Sequence, residues 1–248
     1  KIMYDISNMK ANYKFADTVF EIESSFDYFH EFAKEYVTSE KASVVISSSK
    51  ASVKSWKVSH KDCEGFSLDY IETLVIHSLV AQTLAAENKF IIHGSSIYVD
   101  EPSNGYIFVA PSGTGKSTHV RLLKKMYGDR INYVNDDKPF ISVIKDGFDL
   151  FGSPWMGKEF NGANIKASLK GIFVVSRSNI NKVSKLSPKE AIKHLIKQLH
   201  IPLGIEETAN ATNALIKLCE SLPVYLLEVN MNDDAARVSF DIMSKGDK

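Results

Sequence analysis

Hydrophobic residues follow either a strand period or a helix period in separate stretches of the chain. Apolar side chains alternate with polar ones over residues 13–22, which is typical of half-buried strands. Residues 68–87 instead carry an apolar stripe at helical spacing without Gly or Pro, which predicts a long helix. Short apolar runs between turn residues predict further strands at 44–46, 53–58, 90–99, 106–110, 131–134, 140–144, 148–151, 171–175 and 224–229.

Helical patterns between these runs predict the rest of the fold. We expect helices at 26–36, 116–127, 188–199, 209–222 and 233–243. Turn-forming residues at 100–105 predict a hairpin between the strands on either side. Strands alternating with helices indicate an α/β fold with a mixed sheet. We expect residues 1–66 to form a small N-terminal α/β appendage with a role in substrate recognition, and residues 67–248 to form the catalytic domain.

Composition excludes several classes of protein. The 248 residues are 44% hydrophobic and 24% charged, as in ordinary globular domains. Lys+Arg and Asp+Glu both number 30, and no long basic run occurs, so nucleic acid is not an expected partner. The two cysteines have neither zinc-site nor disulfide-scaffold spacing. No signal-peptide pattern and no run of about eighteen apolar residues is found, so we expect a cytoplasmic protein without a membrane partner.

A phosphate-binding motif lies between a predicted strand and a predicted helix. Residues 110–117 read Ala-Pro-Ser-Gly-Thr-Gly-Lys-Ser and match the Walker A, or P-loop, pattern except at the first position, where Ala110 replaces Gly. The strand before the motif and the helix after it are the context that a P-loop requires. The alternative is a chance Gly/Ser loop before a helix. The motif predicts binding of a nucleoside triphosphate with magnesium.

Each residue type in this motif has a physical task. Gly113 and Gly115 allow the backbone to aim successive N–H groups at an anion, and the helix start adds positive potential. Lys116 is expected to contact the β- and γ-phosphates, and the Ser117 hydroxyl to coordinate Mg²⁺. The residues expected to contact the nucleotide are Pro111, Ser112, Gly113, Thr114, Gly115, Lys116, Ser117 and Thr118.

Two adjacent carboxylates follow the predicted strand 131–134. Asp136 and Asp137 come at the carboxyl end of that strand, where open α/β sheets bind their ligands. One carboxylate could ligate the metal while the other accepts a proton from an attacking hydroxyl. The alternative is an Asx-type turn before Pro139.

Three segments together resemble the catalytic domain of HPr kinase/phosphorylase, whose fold is similar to that of phosphoenolpyruvate carboxykinase. They are His93-Gly94, the motif at 112–117 and the triplet Asn135-Asp136-Asp137, and the resemblance covers roughly residues 90–240. It implies a P-loop core of this type and an ATP- and Mg²⁺-dependent kinase with an alcohol group as acceptor. HPr kinases assemble into oligomers, so a homo-oligomer stays open for this chain.

The resemblance also implies roles for single residues. His93 would lie near the transferred phosphate, although a lone His at a strand start is more often structural. Asp136 is assigned as the base, and Asp137 is assigned to the metal together with Ser117. The expected catalytic residues are therefore Asp136, Lys116 and His93, with Lys158 added from a further segment.

That further segment is a Gly- and Pro-containing loop at 152–159. It reads Gly-Ser-Pro-Trp-Met-Gly-Lys-Glu and is similar to a segment from a bacterial branch of these kinase-like proteins. A shaped loop could bring Lys158 over the developing phosphoryl charge, with Glu159 assisting metal or substrate binding. The alternative is a turn around a buried Trp155 with a solvated Lys158.

Departures from the family pattern bear on the acceptor. Pro111 stands where HPr kinases usually have an acidic residue, and their Gly-Ile-rich second signature is not found. HPr is therefore not the expected acceptor, and we expect a Ser/Thr hydroxyl of a peptide or protein, or a free amino acid. Two alternatives remain: a non-catalytic, regulatory ATP-binding module, and a carboxykinase-type metabolic enzyme, for which no oxaloacetate-binding set is evident.

Overall fold

Strands and helices alternate along the chain in the computed structural model, which describes residues 10–230 and 232–245. The strands are β1 (Lys10–Phe15), β2 (Thr18–Glu23), β3 (Val44–Ser47), β4 (Lys89–Ile91), β5 (Ser95–Val99), β6 (Gly105–Val109), β7 (Ile131–Asn135), β8 (Phe140–Ile144), β9 (Gly147–Phe151), β10 (Lys166–Arg177), β11 (Lys182–Lys185) and β12 (Val224–Val229). The helices are α1 (Tyr28–Phe32), α2 (Lys50–Ser59), α3 (Leu68–Ala86), α4 (Lys116–Tyr127), α5 (Pro188–Leu195), α6 (Ile205–Ser221) and α7 (Asp233–Lys245). The expected mixed α/β class is confirmed.

The long strand β10 holds the main sheet together. Within the described chain nine strands form this sheet, in the order β4-β8-β9-β10-β6-β5-β7, with β12 beside β10 and β11 beside β12. The first residues of β10 pair antiparallel with β9, whereas its later residues lie between β6 and β12, parallel to both. Different parts of one strand therefore bind different neighbours, and the sheet curls around β10.

Helices cover both faces of this sheet. Successive side chains of a strand point to opposite faces, and in β6 Ile107 packs into the cluster shared with α5 and α6 whereas Phe108 packs into the cluster shared with α4 and α7. All five residues of β6 are buried. The strand that leads into the phosphate motif is thus fixed from both sides. No described helix is long and apolar enough to cross a lipid bilayer.

A small second sheet, in the order β1-β2-β3, packs against α3. Phe15 and Phe20 of this sheet share one hydrophobic cluster with Ile76 of α3 and with Phe140 and Trp155 of the main body. Glu72 on α3 is fully buried, and its carboxylate accepts hydrogen bonds from the backbone N–H groups before α1. Apolar side chains from before and after residue 66, the expected end of the N-terminal appendage, therefore share one hydrophobic core.

Two sequence-based expectations about elements are wrong. The strand expected at 53–58 is helix α2: Val53 and Trp56 are three residues apart and so also share a helix face, and the side chains of Ser49 and Ser52 form a capping box at its start. The strand expected at 90–99 is interrupted at His93-Gly94, which separates β4 from β5. Strand β11 was not expected, and its outer-edge position requires little hydrophobicity.

Strand directions bring four chain segments to one edge of the main sheet. Strand β5 is antiparallel to both β6 and β7, so β6 and β7 run in the same direction, and β10 is parallel to β6. The carboxyl ends of β6, β7 and β10 and the start of β5 consequently lie at the same edge. These four ends carry the phosphate motif, the Asp pair, Arg177 and the His-Gly pair.

Candidate functional site

A cavity of about 880 Å³ opens at this edge of the sheet. Every residue that the sequence singled out for catalysis, nucleotide binding or metal binding lines it. These are His93, Pro111, Ser112, Gly113, Thr114, Gly115, Lys116, Ser117, Thr118, Asp136, Asp137 and Lys158. The cavity wall also contains residues from the N-terminal segment and from α3, namely Tyr28, Phe32, Tyr70 and Leu74.

The loop between β6 and α4 has the backbone conformation that glycine permits. Gly113 has a φ of 75° and Gly115 a φ of 118°, values that other residues adopt at a cost. The first N–H groups of any helix lack carbonyl partners, and no described side chain caps the start of α4 at Gly115. Unpaired donors at a positive helix end, open to a cavity, can bind an anion.

Arg177 binds two backbone carbonyl groups of this loop. Its Nε donates to the carbonyl oxygen of Thr114 at 3.1 Å, and its guanidinium also donates to the carbonyl of Gly113. Arg177 is the last residue of β10, which runs parallel to β6, so the two strand ends meet. Its planar, always charged guanidinium adds positive charge beside the loop.

Lys116 is the first residue of α4 and is close enough to the two aspartates to feel their charge. Burial lowers the pKa of its ammonium group, while the negative charges of Asp137 and Asp136 oppose that shift because both carboxylates are close. The cation that the sequence assigned to the phosphates thus shares one electrostatic environment with the carboxylates assigned to the metal and the base.

Asp136 is held by the backbone of the 152–161 loop. Its Oδ1 accepts from Gly157 N at 2.6 Å and its Oδ2 from Asn161 N at 3.1 Å. A Cβ at Gly157 would lie 3.3 Å from that carboxylate, which is tighter than ordinary contact. These contacts fix the carboxylate orientation and leave further lone pairs on both oxygens for another donor.

Asp137 contacts two side chains instead. His93 Nε2 donates to its Oδ1 at 3.0 Å, and Lys138 Nζ lies 3.1 Å from its Oδ2. Burial alone would raise the pKa of the Asp137 carboxyl, but the His93 hydrogen bond and the charge of Lys138 outweigh it and hold the pKa well below its usual range. Asp137 is therefore ionised at neutral pH.

The His93-Gly94 pair depends on a close approach of strands. A Cβ on Gly94 would lie 2.6 Å from the Ile107 side chain, so only glycine fits here without a shift of β6. Gly94 N donates to the carbonyl of Asp137 at 2.9 Å, which ties the pair to the aspartates. The next residue, Ser95, lines the cavity, and its Oγ is buried and has no partner in the part of the chain that the structure describes.

Asn135 connects the Asp pair to the 152–161 loop. Its Oδ1 accepts from the backbone N–H groups of Asp137 and Lys138, and its Nδ2 donates to the carbonyl of Ser153 at 2.9 Å. The first contacts are those of an Asx turn, so the turn proposed as an alternative is present together with the clustered carboxylates. Asn135 is fully buried and stabilises the turn that carries both aspartates.

The 152–161 loop combines a buried anchor with an exposed tip. Trp155 is buried, and its Nε1 donates to the carbonyl of Thr73 at 2.9 Å. Lys158 is exposed at the cavity, and Glu159 forms an exposed ion pair of 2.7 Å with Arg121 on α4. The buried-Trp turn and a lysine facing the cavity are therefore both present.

The donor atoms that could hold a metal are few. Among the described residues no group of three or more His, Cys, Asp and Glu side chains could hold a metal ion. An exposed hydroxyl at Ser117 and the ionised carboxylate of Asp137 are oxygen ligands of the kind Mg²⁺ takes when substrate phosphates and water complete its shell. This donor set fits a magnesium ion that arrives with a nucleotide.

Sequence reasoning missed four kinds of contact at the site. Asn135 was not assigned a role, and Lys138 was not considered. Arg177, just past the predicted strand 171–175, is a single residue that could contact phosphate or substrate, but it belongs to no motif. Asn135 and Lys138 border the Asp pair, so adjacency to the motif is the signal that could have found them. The wall residues on α1 and α3 carry no local signal, because only the tertiary packing brings them to the cavity.

Comparisons with known proteins give little further information. No model of a protein family matches the sequence, and no curated protein matches it. Among solved structures, the chain is similar to the Hpr(Ser) kinase/phosphatase from Coxiella burnetii, with a TM-score of 0.35 and 8% sequence identity over 62% of this chain and 97% of that one. A similarity of this size does not establish a family.

Proposed function

We propose that the chain is an ATP- and Mg²⁺-dependent kinase that transfers the γ-phosphate to a hydroxyl group. The acceptor is a Ser/Thr side chain of a peptide or protein, or a free amino acid. One observation carries the proposal: an uncapped helix start with Lys116 shares one cavity with the two carboxylates of Asp136 and Asp137.

Each residue has a task in this reaction. The triphosphate lies along the N–H groups of the 110–117 loop, with Lys116 at the β- and γ-phosphates. Ser117 and Asp137 would hold Mg²⁺, which neutralises phosphate charge when bound. Asp136 takes the proton from the acceptor hydroxyl, whose oxygen forms a bond to the γ-phosphorus as the bond to the bridging oxygen of ADP breaks.

His93 and Lys158 support the same step. His93 orients the Asp137 carboxylate through its 3.0 Å contact and stands near the transferred phosphate. Lys158, on a loop that is bonded to Asp136, supplies a cation that can approach the developing charge.

Phosphoryl transfer from γ-labelled ATP to free serine, threonine and short peptides tests the proposal. Lys116→Met should abolish ATP binding, measured by calorimetry, because it removes the cation at the phosphates. Asp136→Asn should bind ATP normally but lose about a hundredfold or more of the transfer rate, since the base is gone. Lys125→Met, which removes an exposed lysine of the same helix, should behave as wild type.

Other outcomes would exclude this proposal. ATP binding without transfer to any hydroxyl compound would identify a regulatory binding module. ATP-dependent interconversion of oxaloacetate and phosphoenolpyruvate would identify a carboxykinase. Equal rates for Asp136→Asn and wild type would remove Asp136 as the base.

A further inference from the structure

One wall of the cavity consists of apolar and aromatic side chains from two helices. Tyr28 and Phe32 lie four residues apart on α1, and Tyr70 and Leu74 lie four residues apart on α3. Side chains at this spacing share a helix face, so each helix presents a pair to the cavity. We refer to these four residues as the aromatic wall.

Contacts place the aromatic wall next to the Asp pair. Phe32 contacts the Trp155 ring at a centroid distance of 6.1 Å, and the Trp155 carbonyl accepts from Asn135 Nδ2 at 3.4 Å. Two residues after Trp155, Gly157 N donates to Asp136. One short loop, which contains Trp155 and Gly157, therefore contacts both the aromatic wall and Asp136, the assigned base.

The loop after β6 lies between Arg177 and the Asp pair. In the sheet the order is β10-β6-β5-β7, so Arg177 at the end of β10 and Asp136 after β7 flank the loop after β6 from opposite sides. The acceptor hydroxyl must come within hydrogen-bond reach of the base. A group bound next to that hydroxyl consequently lies on the wall side of the loop.

We propose that the aromatic wall is the acceptor subsite and binds an apolar or aromatic side chain adjacent to the hydroxyl that is phosphorylated. This inference rests on the proposed kinase function. It selects a Ser or Thr within a peptide, flanked by an apolar residue, over a free amino acid.

The absence of charge on the aromatic wall and its exposed aromatic surface support a peptide acceptor. The four wall side chains are uncharged, and Tyr28 remains 38% exposed although it is a large aromatic residue. The basic residues that line the cavity belong to other segments: His93, Lys116, Lys138, Lys158 and Arg177. A free amino acid would bring an ammonium and a carboxylate to a wall that pairs neither, whereas an apolar side chain buries its surface there.

Kinetics with matched peptides test the inference. Two short peptides that differ only in Phe or Asp beside a single serine are compared with free serine, using γ-labelled ATP. The Phe peptide should have at least about a tenfold higher kcat/KM than the others, the size expected from an apolar pocket. Tyr28→Ala and Leu74→Ala should remove most of this preference by raising the peptide KM, with the KM for ATP unchanged.

The control is Ile144→Ala, which removes an apolar side chain that is 40% exposed outside the cavity and should retain the preference. A raised KM for ATP in Tyr28→Ala, with an unchanged peptide KM, would show that the wall binds the nucleotide base and would overturn the inference. So would equal labelling of free serine and the Phe peptide, although the kinase proposal would then stand. Absence of transfer to every hydroxyl compound would remove both.

Discussion

Asp136 and Asp137 are adjacent in sequence, but their carboxylates have different partners. Asp136 accepts two backbone N–H groups of the 152–161 loop, whereas Asp137 contacts the charged or chargeable side chains of His93 and Lys138. The second environment keeps a carboxylate ionised, as a metal ligand requires. The proposed assignment of Asp136 to the proton and Asp137 to the metal can therefore be tested by separate substitutions.

The two assignments predict different magnesium dependence. Asp137→Asn should raise the Mg²⁺ concentration for half-maximal transfer by at least about tenfold, because an amide is a weaker ligand than a carboxylate. Asp136→Asn should lower the maximal rate and leave that concentration unchanged. Both are measured by titrating Mg²⁺ at fixed ATP, with the exposed Asp129→Asn as the control. A shifted Mg²⁺ requirement in Asp136→Asn alone would reverse the two roles.

At the scale of elements, strand β10 does more than extend the sheet. Its terminal Arg177 binds two carbonyl groups of the loop between β6 and α4. Those hydrogen bonds hold the carbonyls of Gly113 and Thr114 toward Arg177, on the side of β10. The loop thus has a contact with a residue about sixty positions away, which only the parallel pairing of β6 and β10 brings close.

Replacing Arg177 should therefore weaken nucleotide binding. Lysine keeps the charge but lacks the planar fork that reaches two acceptors, so Arg177→Lys should raise the Kd for ATP by about tenfold, or about 1.4 kcal/mol. Calorimetric titration measures this effect. Arg237→Lys on α7, whose exposed arginine lies near Asp234, is the matched control. An unchanged Kd in Arg177→Lys would show that the loop keeps its conformation without this contact.

At the scale of the whole molecule, buried histidines connect separate elements. His119 on α4 is fully buried and contacts Ser239 Oγ on α7 through Nε2 at 2.8 Å. His77 on α3 contacts the rings of Trp155 and His200. Burial lowers the pKa of His77 and of His200, and lowers that of His119 to about 4. The folded chain therefore keeps these rings neutral.

Stability should accordingly fall as the solution is acidified. A histidine in the unfolded chain binds a proton below a pH of about 6.5, whereas folded His119 does so only near pH 4. Between these values the unfolded state binds more protons, so stability decreases as the pH falls. His119 alone should lower the free energy of unfolding by about 2 kcal/mol between pH 7 and pH 5.

Urea unfolding at pH 7 and pH 5 measures this loss. In His119→Gln, where the side chain no longer titrates, the difference between the two pH values should shrink by that amount. The exposed His194→Gln on α5 serves as the control and should keep the wild-type difference. The same difference in His119→Gln as in wild type would contradict a buried neutral His119.

Local patterns in the sequence were sufficient for the α/β class, for helix α3 and strand β12, and for naming residues of the 110–117 loop and the Asp pair that line one cavity. A periodic pattern of apolar residues and the glycines of a turn each span only a few neighbouring residues. Both can therefore be recognised in the sequence without knowledge of the fold. The same reasoning misassigned α2, because Trp56 and Val58 have the two-residue spacing of a strand face although Val53 and Trp56 share a helix face.

Tertiary structure alone decided which distant residues meet. The pairing of β5 with β6 and β7 brings His93 to Asp137. The pairing of β10 with β6 brings Arg177 to the loop after β6. The packing of α1 and α3 brings the aromatic wall to the cavity. Strand order and direction depend on the packing of the whole chain, whereas a sequence motif reports only its neighbours. The chemical groups of the site can therefore be read along the chain, but their mutual contacts cannot.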